Sequence, residues 1–370
     1  MTTDRGPDGA EGKRVVAAMS GGVDSAVAAA LLVEAGWEVI GVTMLLLPPG
    51  EPFAARSCCS LEAAEEARQM AAGLGITHYV LDLRDAFREA VIEPFCREYH
   101  VGRTPNPCIL CNRHVKFEAL WERAQALRAS YIATGHYVRV EFDEAASRWT
   151  LQRAVDRDKD QSYVLYTLTQ EQLARTLMPM GGLTKAQARR KAATLGLRAA
   201  RRPESQDICF VSNDDYRGYL RRMLGGMMQP GPIIHVDGRT LGEHEGLAHY
   251  TIGQRKRLGL AIGRPLYVVG LDVRRNAVIV GQSADLLAAR VLVGGVNMVS
   301  LSDLEGEVRL SGQLRYRMQA APCRIQKTDE KLAAVFDTPQ RAITPGQAAV
   351  FYAGDRVACG GTIEAADRAG

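Results

Sequence analysis

The chain has 370 residues, of which 46% are hydrophobic and 24% charged, and it carries a formal net charge of +4. That length exceeds one ordinary core and predicts two or three domains, while the balance is that of a folded globular protein rather than a disordered one. No apolar run approaches the roughly 20 residues needed to cross a bilayer, and the mild positive charge is compatible with nucleic acid over part of the surface without requiring it.

Residues 1–13 are polar and glycine-bearing, with no basic stretch leading into an apolar one. They read as a disordered tail on a cytoplasmic protein. The apolar run Arg14 to Met19 predicts a strand, Ser20-Gly-Gly-Val-Asp-Ser25 a glycine loop, and Ala26 to Glu34 a helix of small residues. Two glycines let the backbone approach an anion, the serines add hydroxyl donors, and the helix behind them points free N–H groups and a partial positive charge at the same place. The loop lacks the lysine and the spacing of the Gly-x-x-x-x-Gly-Lys-Ser/Thr cradle, and Asp24 suits a helix cap as well as a catalytic role.

Further on, Val39 to Leu47 and Thr77 to Leu83 read as strands and Leu61 to Gly75 as a helix. Helical stretches at Asp85 to His100 and Asn112 to Ala129 follow, then a strand at Tyr131 to Thr134. Such alternation predicts an α/β, Rossmann-like parallel sheet with ligands at the carboxyl ends of its strands, the edge that would bear both the glycine loop and Ala133-Thr-Gly-His-Tyr137. A hairpin (Val138 to Phe142, Trp149 to Arg153) and a helix near Thr184 to Leu195 precede the turn-rich stretch Arg201 to Phe210. Residues 14–214 are expected to form the first domain, 215–284 a small central mixed domain, and 285–370 a C-terminal antiparallel β-barrel of short strands such as Glu307 to Leu314, Ala333 to Phe336 and Gln347 to Tyr352.

Eight cysteines in a reducing compartment point to buried, metal-binding or reactive thiols rather than disulfides. Cys96, Cys323 and Cys359 stand alone in helix-like or strand-like surroundings and read as core residues; the vicinal pair Cys58 and Cys59 reads as ordinary thiols. Pro105 and Pro107 stiffen the chain before Cys108-Ile-Leu-Cys111, which places Cys111 near a helix N-terminus where the dipole favours thiolate. His114 is either its base or a surface residue. Cys-x-x-Cys also suits redox exchange, zinc or an iron–sulfur site, but no second matching ligand pair appears and the position after the first strand is already occupied by the glycine loop.

The loop resembles the PP-loop of ATP pyrophosphatases, which release pyrophosphate on adenylating a carbonyl or carboxylate. Seven more motifs follow in order: Gly102-Arg-Thr-Pro-Asn-Pro107, Cys111-Asn-Arg-His-Val-Lys-Phe117, Ala133 to Tyr137, Lys159-Asp-Gln-Ser-Tyr163, Glu204-Ser-Gln-Asp-Ile-Cys-Phe210, Gly253-Gln-Arg-Lys-Arg-Leu-Gly259 and Leu314-Arg-Tyr-Arg317. Together, from about residue 14 to about 363, they resemble the bacterial tRNA-specific 2-thiouridylase family.

That resemblance implies ATP-dependent 2-thiolation of the wobble uridine, in tRNAs for lysine, glutamate and glutamine, with sulfur from a cysteine desulfurase or relay protein. It assigns Cys111 as nucleophile and Cys209 as persulfide carrier, able to form a transient disulfide with Cys111. Ala18, Met19, Ser20, Gly21, Gly22, Val23, Asp24, Ser25, Met44 and Gly135 match ATP contacts, with Mg²⁺ expected alongside. Asn106, Pro107 and Cys108 match the target-base segment. His136, Lys159, Asp160, Gln161, Arg315, Tyr316 and Gln347 match tRNA contacts, and Arg255-Lys-Arg257 adds basic charge. Many members carry Asp where this chain has Cys108. Here that thiol tunes Cys111, competes for persulfide, or joins Cys111 and Cys209 as three ligands of a [4Fe–4S] cluster with one iron open to hydrosulfide. The rival readings are a PP-loop enzyme that adds nitrogen, and a non-catalytic RNA-binding or sulfur-carrier protein.

Overall fold

A computed structural model describes residues 14–48, 60–197, 208–211, 215–260 and 263–368. The expected tail, the Cys58–Cys59 pair and most of the 201–210 stretch lie outside the described residues. The chain divides into two compact units: one of Met1–Val91, Cys108–Asp214 and Asp355–Val357, the other of Ile92–Pro107, Asp215–Gly354 and Ala358–Gly370.

The first unit begins with β1 (Arg14–Ala18), α1 (Val23–Glu34), β2 (Glu38–Leu45), α2 (Leu61–Gly73) and β3 (Thr77–Asp82). Then come α3 (Arg84–Phe87), a π-helical turn (Arg88–Ile92) and α4 (Glu93–His100), of which α4 clusters with the second unit. A second helical run starts as α5 (Pro107–Leu110), widens into nine π-helical residues (Cys111–Ala119) and ends as α6 (Leu120–Ala126). β4 (Tyr131–Ala133), the hairpin β5 (Val138–Asp143) and β6 (Arg148–Arg153), α7 (Gln170–Ala174), β7 (Thr176–Leu177) and α8 (Lys185–Thr194) complete it.

The parallel sheet runs β3-β2-β1-β4-β7. β1 lies between β2 and β4, with Ala18 opposite Val42 and Ala17 opposite Ala133. The edge strand beyond β4, β7, was not foreseen from sequence; a two-residue strand is too short to carry any periodic pattern. Val15, Ala17 and Met19 pack against Ala26 to Ala29 of α1, Ala67 and Ala71 of α2, and Ala188 and Ala192 of α8, all buried. Alanine at these contacts brings the helix backbones close to the sheet and leaves the loop after β1 tightly bracketed.

In the second unit, α9 (Tyr216–Leu224) precedes β8 (Gly231–His235), β9 (Thr240–His244), β10 (Tyr267–Asp272) and β11 (Ala277–Gly281), in sheet order β10-β11-β8-β9 with one parallel pair, β11 and β8. The barrel uses β12 (Leu287–Met298), β13 (Glu307–Gln313), β14 (Ala321–Thr328), β15 (Lys331–Arg341), β16 (Ala348–Ala353) and β17 (Arg356–Arg368). Its order is β12-β15-β14-β13-β16-β17, and pairing of β17 with β12 closes it. The barrel core buries Cys323 and Cys359, and burial pushes both thiols up to about 12; Cys96, buried in α4, is pushed up to about 11. These three are core residues, as their sequence surroundings indicated. Among the described residues no helix is long and apolar enough to cross a membrane.

Candidate nucleotide and thiol site

At the carboxyl end of β1 the chain turns through Ser20 to Gly22 into α1. Gly21 has φ +70°, and a Cβ on it would lie 2.7 Å from the Ala63 carbonyl oxygen, so both its conformation and its surroundings demand glycine. Gly22 caps α1 without any side-chain hydrogen bond, so the cap residue itself occupies none of the first-turn N–H groups. Ser25 Oγ accepts from Ser20 N at 3.1 Å and donates to the Gly22 carbonyl at 3.0 Å, which ties the loop into a closed ring. Behind it, buried Thr43 donates to the Met19 carbonyl at 2.7 Å and so accepts from His78 Nε2 at 2.9 Å. Met44, the next residue on β2, is 7% exposed.

The segment after β4 closes over this loop. A Cβ on Gly135 would come within 2.7 Å of Ser25 N and 2.8 Å of Asp24 C, so that glycine lies directly on the start of α1. The two segments placed on one edge from sequence therefore touch. The Tyr137 hydroxyl donates to Asp24 Oδ1 at 2.8 Å, and the Lys185 ammonium reaches Asp24 Oδ1 and Oδ2 at 2.8 Å each. Lys185 escaped the sequence reading. Its only local signal is Thr184, the capping-box residue that starts α8 and delivers the next side chain to a fixed place.

The tRNA-contact candidates of this unit continue the same network. Tyr137 N donates to Gln161 Oε1 at 2.9 Å, and Gln161 N donates back to the Tyr137 carbonyl at 3.1 Å. Asp160 has a side chain only 6% exposed; it accepts from Ala154 N at 2.9 Å and from Ser162 Oγ at 2.7 Å, so its carboxylate organises the turn. Lys159 lies beside it, half-buried. His136 is buried, its Nδ1 hydrogen-bonded to the Thr134 hydroxyl at 2.7 Å, and burial first and Lys116 second push its pKa well below the ordinary histidine range.

The thiol run departs from expectation in one respect. With Pro107 at its first position the helix starts four residues before Cys111, so Cys108 occupies the N-terminal turn and Cys111 opens the π-helical segment. Cys108 is exposed, whereas Cys111 is 9% exposed. Asn106 is half-buried ahead of them. The segment is fixed by Asn112 Nδ2 donating to the Val164 carbonyl at 3.1 Å and by Gln172 Nε2 donating to the Phe117 carbonyl at 3.2 Å. The Phe117 and His136 rings lie 6.2 Å apart, which links the Cys111 segment to the one covering the loop. His114 pairs with Glu118 at 2.7 Å on the exposed side, the surface reading.

Cys209 is half-buried in the turn closed by Val211 N and the Ile208 carbonyl. Its neighbour Phe210 is buried against Phe87, ring centroids 5.8 Å apart, on the α3 helix that packs against the Cys111 segment. Among the described residues no group of three or more His, Cys, Asp and Glu side chains is placed to hold a metal ion.

In the second unit, Thr104, Tyr216, Gln254, Arg315, Thr344 and Gln347 help line a cavity of about 410 Å³. Arg315 Nη2 donates to the Ala342 carbonyl at 2.6 Å and to Thr344 Oγ1 at 2.9 Å, and Gln347 Nε2 donates to the Thr104 carbonyl at 2.8 Å. Both side chains brace the cavity wall. Tyr316 is 40% exposed, with the Arg317 guanidinium 5.7 Å from its ring centre.

Three family models match in succession: "tRNA methyl transferase HUP domain" over residues 13–213, "tRNA methyl transferase PRC-barrel domain" over 217–282 and "Aminomethyltransferase beta-barrel domain" over 295–363. The tRNA-specific 2-thiouridylase of Heliobacterium modesticaldum is 50% identical over 94% of this chain and 92% of its own length. That of Moorella thermoacetica is 52% identical over 94% and 98%. Among solved structures, NMN synthetase from Francisella tularensis aligns with a TM-score of 0.33 and 18% identity, over 52% of this chain and 66% of that one.

Proposed function

Because the chain belongs to the tRNA-specific 2-thiouridylase family, we propose that it replaces the C2 oxygen of the anticodon wobble uridine with sulfur, in the cytoplasm, at the expense of ATP. The observation that carries this is identity near 50% over more than nine-tenths of the length of curated 2-thiouridylases. The loop after β1 supports the chemistry, since its glycines and uncapped helix start suit a polyphosphate.

Oxygen on C2 is a poor leaving group. In this reading it attacks the α-phosphorus of ATP, forming an O-adenylate and releasing pyrophosphate toward residues 18–25, with Met44 and Gly135 at the nucleotide. Mg²⁺ arriving with ATP offsets part of the triphosphate charge. The terminal sulfur of a Cys209 persulfide then attacks C2 and AMP leaves. Cys111 thiolate next attacks Cys209 Sγ, forming the Cys111–Cys209 disulfide and freeing the 2-thiouracil; a cellular thiol reductant restores both cysteines. In the alternative order Cys111 attacks first and releases hydrosulfide, which then attacks C2. Sulfur reaches Cys209 from a cysteine desulfurase or relay protein. Asn106, Pro107 and exposed Cys108 flank the splayed base.

Residues 14–214 activate and thiolate, and 215–284 with 285–370 hold tRNAs for lysine, glutamate and glutamine through Arg315, Tyr316 and Gln347. Lys159 contacts tRNA directly in this reading, whereas His136, Asp160 and Gln161 act by holding the surface that does. A methyl-transfer reading is favoured only by the wording of two family descriptions.

Mass spectrometry of tRNA from a depleted strain rescued with wild type, Cys108→Ala, Cys111→Ser or Cys209→Ser decides the matter. Wild type and Cys108→Ala are expected to restore 2-thiouridine, and the other two to leave uridine. Full restoration by either serine variant, or a methylated base in place of a thiolated one, would sink the assignment.

A further inference from the structure

The acidic residue of the loop poses an electrostatic problem. Asp24 lies in the first turn of α1 beside the N–H groups that face the anion seat. A bare carboxylate there would repel pyrophosphate and oppose the attraction of the helix start. The structure answers with Lys185, whose ammonium contacts both Asp24 oxygens at 2.8 Å and lies 5.8 Å from the Tyr137 ring centre, while the Tyr137 hydroxyl holds Oδ1. The lysine side chain is only 13% exposed.

Its place is fixed independently of Asp24. Lys185 N donates to Asp156 Oδ2 at 2.8 Å, and Thr184 N donates to Gln187 Oε1 at 2.7 Å. On the same helix, Lys191 pairs with Glu34 in an exposed contact that has no bearing on the loop.

We propose that Lys185 is a positioning residue of the phosphate loop, cancelling the charge of Asp24 and fixing its carboxylate so that the loop attracts the pyrophosphate leaving group. A lysine missing from the loop's own sequence is thus supplied by the fold. The inference rests on reading residues 18–25 as the ATP seat.

The test is calorimetric titration of the full-length protein with inorganic pyrophosphate, paired with KM values for ATP and tRNA and with thermal melting to check folding. Lys185→Met is expected to weaken pyrophosphate binding about tenfold, the equivalent of one favourable charge contact. It should raise KM for ATP in similar proportion and leave KM for tRNA within about twofold. Lys185→Arg should recover most of the loss, and Lys191→Met should match wild type. The decisive variant is Lys185→Met combined with Asp24→Asn, which removes the uncompensated carboxylate. It is expected to regain pyrophosphate affinity, and it carries the test if Lys185→Met alone fails to fold.

Unchanged pyrophosphate affinity in folded Lys185→Met, or no recovery in the double variant, overturns the proposal. So does a lower Mg²⁺ requirement in Lys185→Met, which would make Asp24 a metal ligand masked by the lysine. A wild type that binds pyrophosphate but makes no 2-thiouridine would refute the proposed function and not this inference.

Discussion

Two glycines show how little space the candidate site leaves around its backbone. Gly135 meets Ser25 and Asp24 so closely that one added methyl group must displace the start of α1. Gly135→Ala is therefore expected to raise KM for ATP about tenfold or more while KM for tRNA changes little, as steady-state kinetics would show. Residues 20–25 were legible from sequence because strand, glycines and helix adjoin, and the Ser25 hydrogen bonds that close the loop span five positions or fewer. Lys185 was not legible, because it lies 161 positions from Asp24, and its one local mark, the cap at Thr184, fixes where the helix starts but not what the lysine meets. Pairings at such range are set by how helices pack on the sheet, and alanine-lined contacts of that kind carry no residue-specific mark.

The turn between β6 and α7 is organised around one carboxylate. Asp160 accepts from Ala154 N and from Ser162 N and Oγ, and it ends where Gln161 and Tyr137 exchange hydrogen bonds. Removing it leaves those donors without their acceptor, a cost of about 1–3 kcal/mol. Asp160→Ala should lower the urea midpoint accordingly, and loss of tRNA binding should follow loss of structure on warming. Elements with regular periodicity were readable from sequence, including β1 to β4 of the parallel sheet and β13, β15 and β16 of the barrel. The π-helical residues Cys111–Ala119 were not, because a register of i to i+5 leaves no pattern that a 3.6-residue period detects. That widened run buries Asn112, Val115 and Phe117 together and sets Cys111 against the fold rather than at the helix tip.

Across the molecule, buried histidines link stability to pH. His136, His244 and His249 are buried, and desolvation is the first cause lowering each pKa below the ordinary 6.5. Each stays neutral in the fold while the unfolded chain takes up a proton below that value, so stability is full above about pH 6.5 and falls as the pH drops further. The slope is up to about 1.4 kcal/mol per pH unit for each histidine. His136→Gln should flatten it, as urea midpoints across that range would reveal.

Asp355–Val357 belong to the first unit although they come near the end of the chain. Asp355 pairs with Arg157 at 2.6 Å, its carbonyl accepts from Arg153 N at 2.9 Å, and Arg356 sits opposite Gln152 on β6. During synthesis, the unit that begins first is thus among the last to be completed. A ribosome must pass through the barrel strands before the β5–β6 hairpin receives its final partner. Cutting the gene between the two units cannot yield two whole parts, and a nascent chain stalled short of residue 355 would hold the β5–β6 hairpin without its last partner.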